Sequence, residues 1–103
     1  MIFVVIRRRS DDWDWALPMR SQPAWDVHAA YMDALAEEGF ILAGGPLGSE
    51  DEAARVMHVV EAPDERTAID RFERDPWTLM DLLHTVSVEP WSVLLGGFAR
   101  TTA

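Results

Sequence analysis

"FERDPWTLMDLLHTVSVEPW", residues 72–91, changes its hydrophobic period part-way along. Just upstream, Pro63-Asp64 opens a helix with Asp64 as its N-cap, and Ala68, Ile69 and Phe72 fall on one buried stripe. The same spacing carries Asp75 onto that stripe, where Pro76 forces it out of ideal helical geometry. Thr78 to Leu83 reads as one more helical turn, and Thr85 to Leu94 then alternates as a strand does. The stretch is an α-to-β joint with a carboxylate on its apolar side, which is costly unless something pairs with it.

Upstream of the joint, Arg55 to Ala62 has strand character, and Phe40 to Ala43 reads as a strand broken by Gly44-Gly45-Pro46, with a polar turn region from Leu47 to Ala53. From Pro23 to Glu38 the pattern is helical: proline sits in the first turn, Asp26 complements the macrodipole and Gly39 is a natural C′ residue. Met1 to Ile6 is apolar without alternation, which predicts a central strand buried on both faces. The order β-α-β-β-α-β implies an α+β fold of the split βαβ type: a four-stranded antiparallel sheet with two helices on one face. Residues 1–103 form one domain, with a lid-like loop at 10–22, acidic and carrying Trp13 and Trp15, and a tail at 95–103. Apolar patches of several hundred Å² are rarely left in water, so the bare sheet face is expected to pack on a second copy in a homodimer.

Composition removes several function classes. The formal charge of −9 repels phosphate backbones, so no nucleic-acid partner is expected. Arg7-Arg8-Arg9 reads as a solvated strand end, the other reading being that one arginine greets an anionic ligand. With no cysteine there is no disulfide framework, thiolate site or cysteine nucleophile. No apolar run approaches the ~20 residues that cross a bilayer, so no membrane partner is expected, and a chain starting without a basic-then-apolar leader suggests a soluble cytoplasmic protein.

His28 is the leading candidate for chemistry. Its neighbours along the helical stripe are Tyr31, Met32 and Leu35, so it should point toward the sheet. It reads either as a core histidine satisfied by a carbonyl or hydroxyl, or as one partner of Asp75, since an inward histidine and an inward carboxylate from one helical layer suit each other. Asp75 would then hold one ring nitrogen and leave the other for a ligand; the competing role for Asp75 is to cap local amides before Pro76. Trp25, Trp77 and Trp91 could clasp an aromatic ring, although tryptophans at these spacings also serve as core. Tyr31 could donate a proton or hold an oxyanion, and is otherwise a packing residue. His58 and His84 share no paired helical spacing with His28, so no metal site is assigned, and Gly44-Gly45 lacks the setting of a phosphate loop.

The chain resembles the YciI-like (YCII-related) family. "WDVHAAYMDALAEEGFILAGGPL", Trp25 to Leu47, carries that family's histidine ahead of a glycine, a strand and a Gly-Gly-Pro end. "DPWTLMDLLHTVSVEPW", Asp75 to Trp91, matches its Asp-Pro-aromatic element, final strand and Pro-Trp. The resemblance implies a ferredoxin-like subunit, a dimeric α/β barrel, and a pocket in which His28 and Asp75 form a catalytic pair with Gly45 and Pro46 lining it. Two departures stand out: the acidic tryptophan loop, and Gln22-Pro23 where many relatives have Arg-Pro. Some relatives eliminate halide from, or isomerise, small hydroxylated rings, chemistry that a His-Asp acid/base pair can perform without a cofactor. The expected function is therefore a cofactor-independent lyase or isomerase acting on a small hydroxylated or carbonyl compound. The expected substrate contacts are Tyr31, Gly45, Pro46, Trp77 and Trp91. The alternative is a non-catalytic dimeric domain that binds a small molecule in the same pocket. Haem, which other dimeric α/β barrels hold through a histidine, would announce itself by a Soret band.

Overall fold

The computed structural model describes residues 1–98, so the part of the expected tail at 99–103 lies outside the described residues. The elements run β1 (Ile2–Arg9), α1 (Trp25–Glu37), β2 (Ile41–Pro46), β3 (Arg55–Glu61), α2 (Glu65–Glu73), α3 (Pro76–Leu79) and β4 (Leu83–Pro90). A single 3-10 turn, Met19–Ser21, precedes α1. The strands form one antiparallel sheet in the order β2-β3-β1-β4, which puts the first strand in the middle and gives the ferredoxin-like arrangement. Both long helices cover the same face, where Leu35 of α1 and Ala68 and Phe72 of α2 meet Phe3 and Val5 of β1.

β1 is not buried on both faces. Phe3, Val5, Arg7 and Arg9 point under the helices and are buried, whereas Ile2, Val4 and Ile6 on the opposite face are half-exposed. The run lacks polar alternation because its outer face is apolar too, yet among the described residues no helix reaches that face. The strand also continues through the arginines, and its period of two carries Arg7 and Arg9 inward. The solvated strand end therefore holds for Arg8 alone; Arg7 and Arg9 are buried.

Nor does Gly44-Gly45-Pro46 break β2, which pairs through it with β3: Gly44 faces His58, Gly45 faces Met57 and Pro46 faces Val56. A shift in register between Ile41 and Ala43 absorbs the irregularity. β4 starts at Leu83 and stops at Pro90, opposite Phe3, and one further backbone hydrogen bond, from the Trp91 amide to the Ile2 carbonyl at 2.8 Å, joins it to the start of β1. α1 begins at Trp25, and its N-cap Ala24 is left-handed, with φ of 60° and no side-chain cap. Gly39, with φ of 88°, follows the end of α1 and tolerates that geometry without a Cβ penalty. α2 starts where the sequence places it, the Asp64 carboxylate accepting from the Thr67 amide at 2.8 Å.

Two apolar clusters fill the space under the helices. One joins Phe3, Val5, Leu35, Phe40, Val60, Ala62, Ala68 and Phe72, and the other joins Trp13, Val56, Trp77, Leu82 and Leu83. Trp13 thus makes part of the loop at 10–22 a core element. Gln22, also buried, fastens that loop by accepting from the Asp14 amide and donating to the carbonyls of Asp14 and Leu17. Among the described residues no helix is long and apolar enough to cross a membrane.

Candidate active site

Asp75 is the N-cap of α3, and Pro76 occupies the first helical position, where its missing N–H is no loss. The carboxylate is fully buried and accepts from three groups: His28 Nδ1 at 2.7 Å and the Trp77 amide at 3.0 Å on Oδ1, and the Arg7 guanidinium at 2.9 Å on Oδ2. Burial pushes its pKa up, but the hydrogen bonds and charges of His28 and Arg7 outweigh burial and hold it below the usual carboxylate value. An ionised carboxylate can only accept, so Nδ1 of His28 carries a proton. In the neutral imidazole Nε2 then presents its lone pair, and it has no protein hydrogen-bond partner among the described residues.

Arg7 is as buried as Asp75, and its other terminal nitrogen donates to the Thr78 hydroxyl, which in turn donates to the Phe72 carbonyl. This ties the start of α3 to the end of α2. Burial lowers the Arg7 pKa and Asp75 opposes the shift; the guanidinium stays charged because its ordinary pKa lies so far above neutrality.

The imidazole of His28 is also fixed from its face. Trp77 stacks on it with ring centroids 3.7 Å apart and planes 10° from parallel, while the Trp77 indole N–H donates to the Pro23 carbonyl at 2.7 Å. The left-handed turn at Ala24 lies directly after that carbonyl, a backbone position that costs ~1–3 kcal/mol for a residue with a Cβ. Ring plane, rotation and proton position of His28 are all determined by its neighbours.

His28 lines a cleft of about 300 Å³, at the lower end of the range for small-molecule sites. Trp25 and Met32 of α1 border it with Trp77, β2 supplies Ile41 to Pro46, and β3 supplies Val56 and His58. Arg9 and Met19 complete one side. Of the residues expected from the sequence, His28, Gly45, Pro46 and Trp77 meet at this cleft, and Asp75 stands behind His28. Tyr31 and Trp91 lie elsewhere. Tyr31 packs against the first core cluster and donates its hydroxyl to the Arg71 carbonyl at 2.7 Å. Trp91 follows the last strand, 42% exposed, with its ring edge-on to Phe98.

Arg7, Arg9 and His58 belong to this region and were not picked out as site residues by sequence reasoning. Continuing the strand pattern of Met1 to Ile6 by three residues would have turned Arg7 and Arg9 inward. Arg9 donates to the Ala53 and Glu50 carbonyls and lies over the Trp13 ring, 4.3 Å from its centroid. His58 is directly opposite Gly44 in the sheet, and a Cβ added at Gly44 would come within 2.5 Å of its ring, so the glycine makes room for the imidazole. Burial, with the Arg7 and His28 charges adding to it, pushes the His58 pKa down to about 3 despite the opposing charge of Asp75, leaving the ring neutral at physiological pH. Among the described residues no three His, Asp or Glu side chains come together to hold a metal ion.

The profile of the YCII-related domain matches residues 1–92 of this chain. No curated protein sequence matches it. Among solved structures, the chain is similar to 5-chloro-2-hydroxyhydroquinone dehydrochlorinase from Burkholderia phenoliruptrix AC1100 in complex with 2,5-dihydroxybenzoquinone. The TM-score is 0.68 and the sequence identity 25%, over 89% of this chain and 94% of that one.

Proposed function

The chain belongs to the YCII-related domain family, and from that premise we propose that it is a lyase- or isomerase-type enzyme working on a small hydroxylated ring or carbonyl compound. His28 is the general base and Asp75 its orienting carboxylate. One observation carries this reading: a histidine locked by a buried carboxylate and a stacked indole lines a cleft with its free nitrogen unspent. A group held so firmly loses little entropy on reaching a near-attack geometry.

In the proposed reaction Nε2 removes a proton from a hydroxyl, or from carbon beside a carbonyl, and the freed electron pair moves into the ring system. Asp75 stabilises the imidazolium that forms, as its charge favours the protonated ring. Returning the proton to a different carbon gives an isomerisation. Departure of a halide with the electron pair instead gives net loss of HX, the reaction type in the name of the dehydrochlorinase. Neither course needs a cofactor. Gly45 and Pro46 line the cleft with His28, and Trp77 acts on substrate mainly through its hold on His28.

The test is chloride release from chlorinated hydroxyhydroquinones by the wild type and His28→Asn, with folding checked by circular dichroism. Turnover by the wild type that falls ~10²- to 10⁴-fold in the variant supports the reading; equal turnover in both contradicts it. A non-catalytic binding or accessory domain is favoured by a different observation. Asp75 already caps α3 and neutralises Arg7, work it would do without any reaction. Tight binding of hydroxyquinones with no turnover of any of them would select that alternative.

The active form is proposed to be a homodimer. The uncovered sheet face carries Ile2, Val4, Ile6 and Met57, all half-exposed, and a second copy would remove them from water. Light scattering at micromolar concentration checks this, a monomer being the contrary result.

A further inference from the structure

Building on the His28 reading, we infer that His58 is the second working group of the cleft: a neutral imidazole whose Nε2–H donates a hydrogen bond to the substrate oxygen on which negative charge develops. The substrate class this specifies is a compound with a carbonyl or phenolic oxygen conjugated to the position that His28 deprotonates, such as a hydroxyquinone.

The orientation of the ring follows from its two edges. Cδ2 is the ring atom nearest Gly44, a residue of the cleft wall, at 2.5 Å from a Cβ placed there, with Cγ and Nε2 on either side of it at 3.3 Å each. The opposite edge carries Nδ1, which is buried without a partner. Because β3 lies between β2 and β1, that edge turns toward β1. Val5 is directly opposite His58 and Arg7 opposite Val56, so Arg7 is the diagonal neighbour of His58 on the inward face, within reach for a long side chain. Arg7 has an unpartnered Nε–H, and its positive charge disfavours a second proton-bearing nitrogen beside it. The remaining tautomer leaves Nδ1 bare toward Arg7 and puts the proton on Nε2, on the cleft side.

A neutral imidazole suits this task because it can donate without carrying the proton away as an acid, and the ring stays neutral here since burial and Arg7 hold its pKa at about 3. The atoms balance: His28 Nε2 takes the proton, the electron pair of the broken bond becomes a π bond, and the carbonyl π pair moves to oxygen. The His58 Nε2–H bond strengthens toward that oxygen without breaking. Arg9, whose bonds go to main-chain carbonyls and which lines the same cleft, adds a positive field for the same charge. Pre-set donors of this kind stabilise the charged oxygen with no reorganisation when it forms.

The test uses the full chain with 2,5-dihydroxybenzoquinone as probe. Long-range ¹⁵N–¹H spectra of the histidine rings should show His58 as the Nε2–H tautomer, unchanged from pH 5 to 8, in surroundings where Arg7, His28, Asp75 and the Phe72 ring face it. Its Nε2–H signal should move when the probe is added. His58→Phe should keep the fold and weaken probe binding roughly ten- to a hundredfold, the loss of one hydrogen bond to a charged oxygen. A Nδ1–H tautomer, titration within that range, or unchanged affinity in His58→Phe would overturn the inference. If His28→Asn alone weakened binding, the base reading would survive and the His58 role would not. If neither variant changed it, or the wild type did not bind the probe, both would fall.

Discussion

The two halves of β1 lie on the same strand, turn their alternate side chains to the same face of the sheet, and do different work. Phe3 and Val5 enter an all-apolar cluster closed by Leu35 and Phe72, where the only requirement is volume. Arg7 and Arg9, two and four positions further along that face, bring guanidinium groups into the interior, each bound to oxygen atoms and each beside the cleft machinery. Paired buried charges are rarely the most stable filling for a core. One end of the strand is filled with hydrocarbon and the other with charge, and under the proposed function the second end is where stability is given up to hold a site.

The comparison breaks most easily at its apolar end. Phe3→Ala leaves a cavity beneath both helices and should cost about 3–5 kcal/mol in urea denaturation, while the affinity of the remaining folded protein for a hydroxyquinone stays unchanged. Arg7→Met should cost about 2–3 kcal/mol, less than the 3–5 kcal/mol of a fully orphaned buried charge, because Asp75 keeps its bonds from His28 and the Trp77 amide. Unlike Phe3→Ala, it should also impair the cleft.

Acid sharpens the contrast, because only the charged end responds. The folded pKa of Asp75 lies below its ordinary 3.8, so its contribution is complete above that value and is lost as pH falls through the lower folded one. Arg7→Met removes one of the groups holding that pKa down, and acid unfolding should therefore begin at higher pH. His58 has the same sign by a different route. Between its ordinary 6.5 and its folded value of about 3, the unfolded chain takes up a proton that the folded ring refuses, so stability declines as pH is lowered through that window. His58→Phe should flatten the decline, and a curve as steep as the wild type's would contradict the burial argument. Arg8→Ala sits between the two inward arginines but faces water, and should change stability by less than ~0.5 kcal/mol.

The sequence made the element order legible because its strongest signals are local: Asp64 before a periodic run, Gly39 after one, and a proline at position 76. The meeting of His28 and Asp75 was legible for a related reason, since a carboxylate on an apolar stripe demands a partner and the other helix offered one. What stayed hidden depends on the third dimension. The half-open outer face of β1 could not be told from a buried one, because water avoidance looks the same in sequence whether a helix or another copy covers the surface. The arginines look solvated as a run, and only the period of the strand separates Arg8 from its neighbours. Gly44 looked like a break because glycine usually is one; here it is a strand residue whose missing Cβ makes space for His58. Tyr31 and Trp91 stand out in the sequence for their chemistry, whereas the fold uses one to tie α1 to the end of α2 and leaves the other beyond the last strand.

The central claim is that Asp75 acts through His28, and a double-mutant cycle with His28→Asn and Asp75→Asn tests it most directly. Turnover or hydroxyquinone affinity should fall in each single variant, and the double variant should be little worse than the poorer single one, since each change removes the same oriented base. Independent sites would instead add to within ~0.5 kcal/mol, and that result would leave Asp75 as the cap of α3 and the partner of Arg7, with no part in what His28 does.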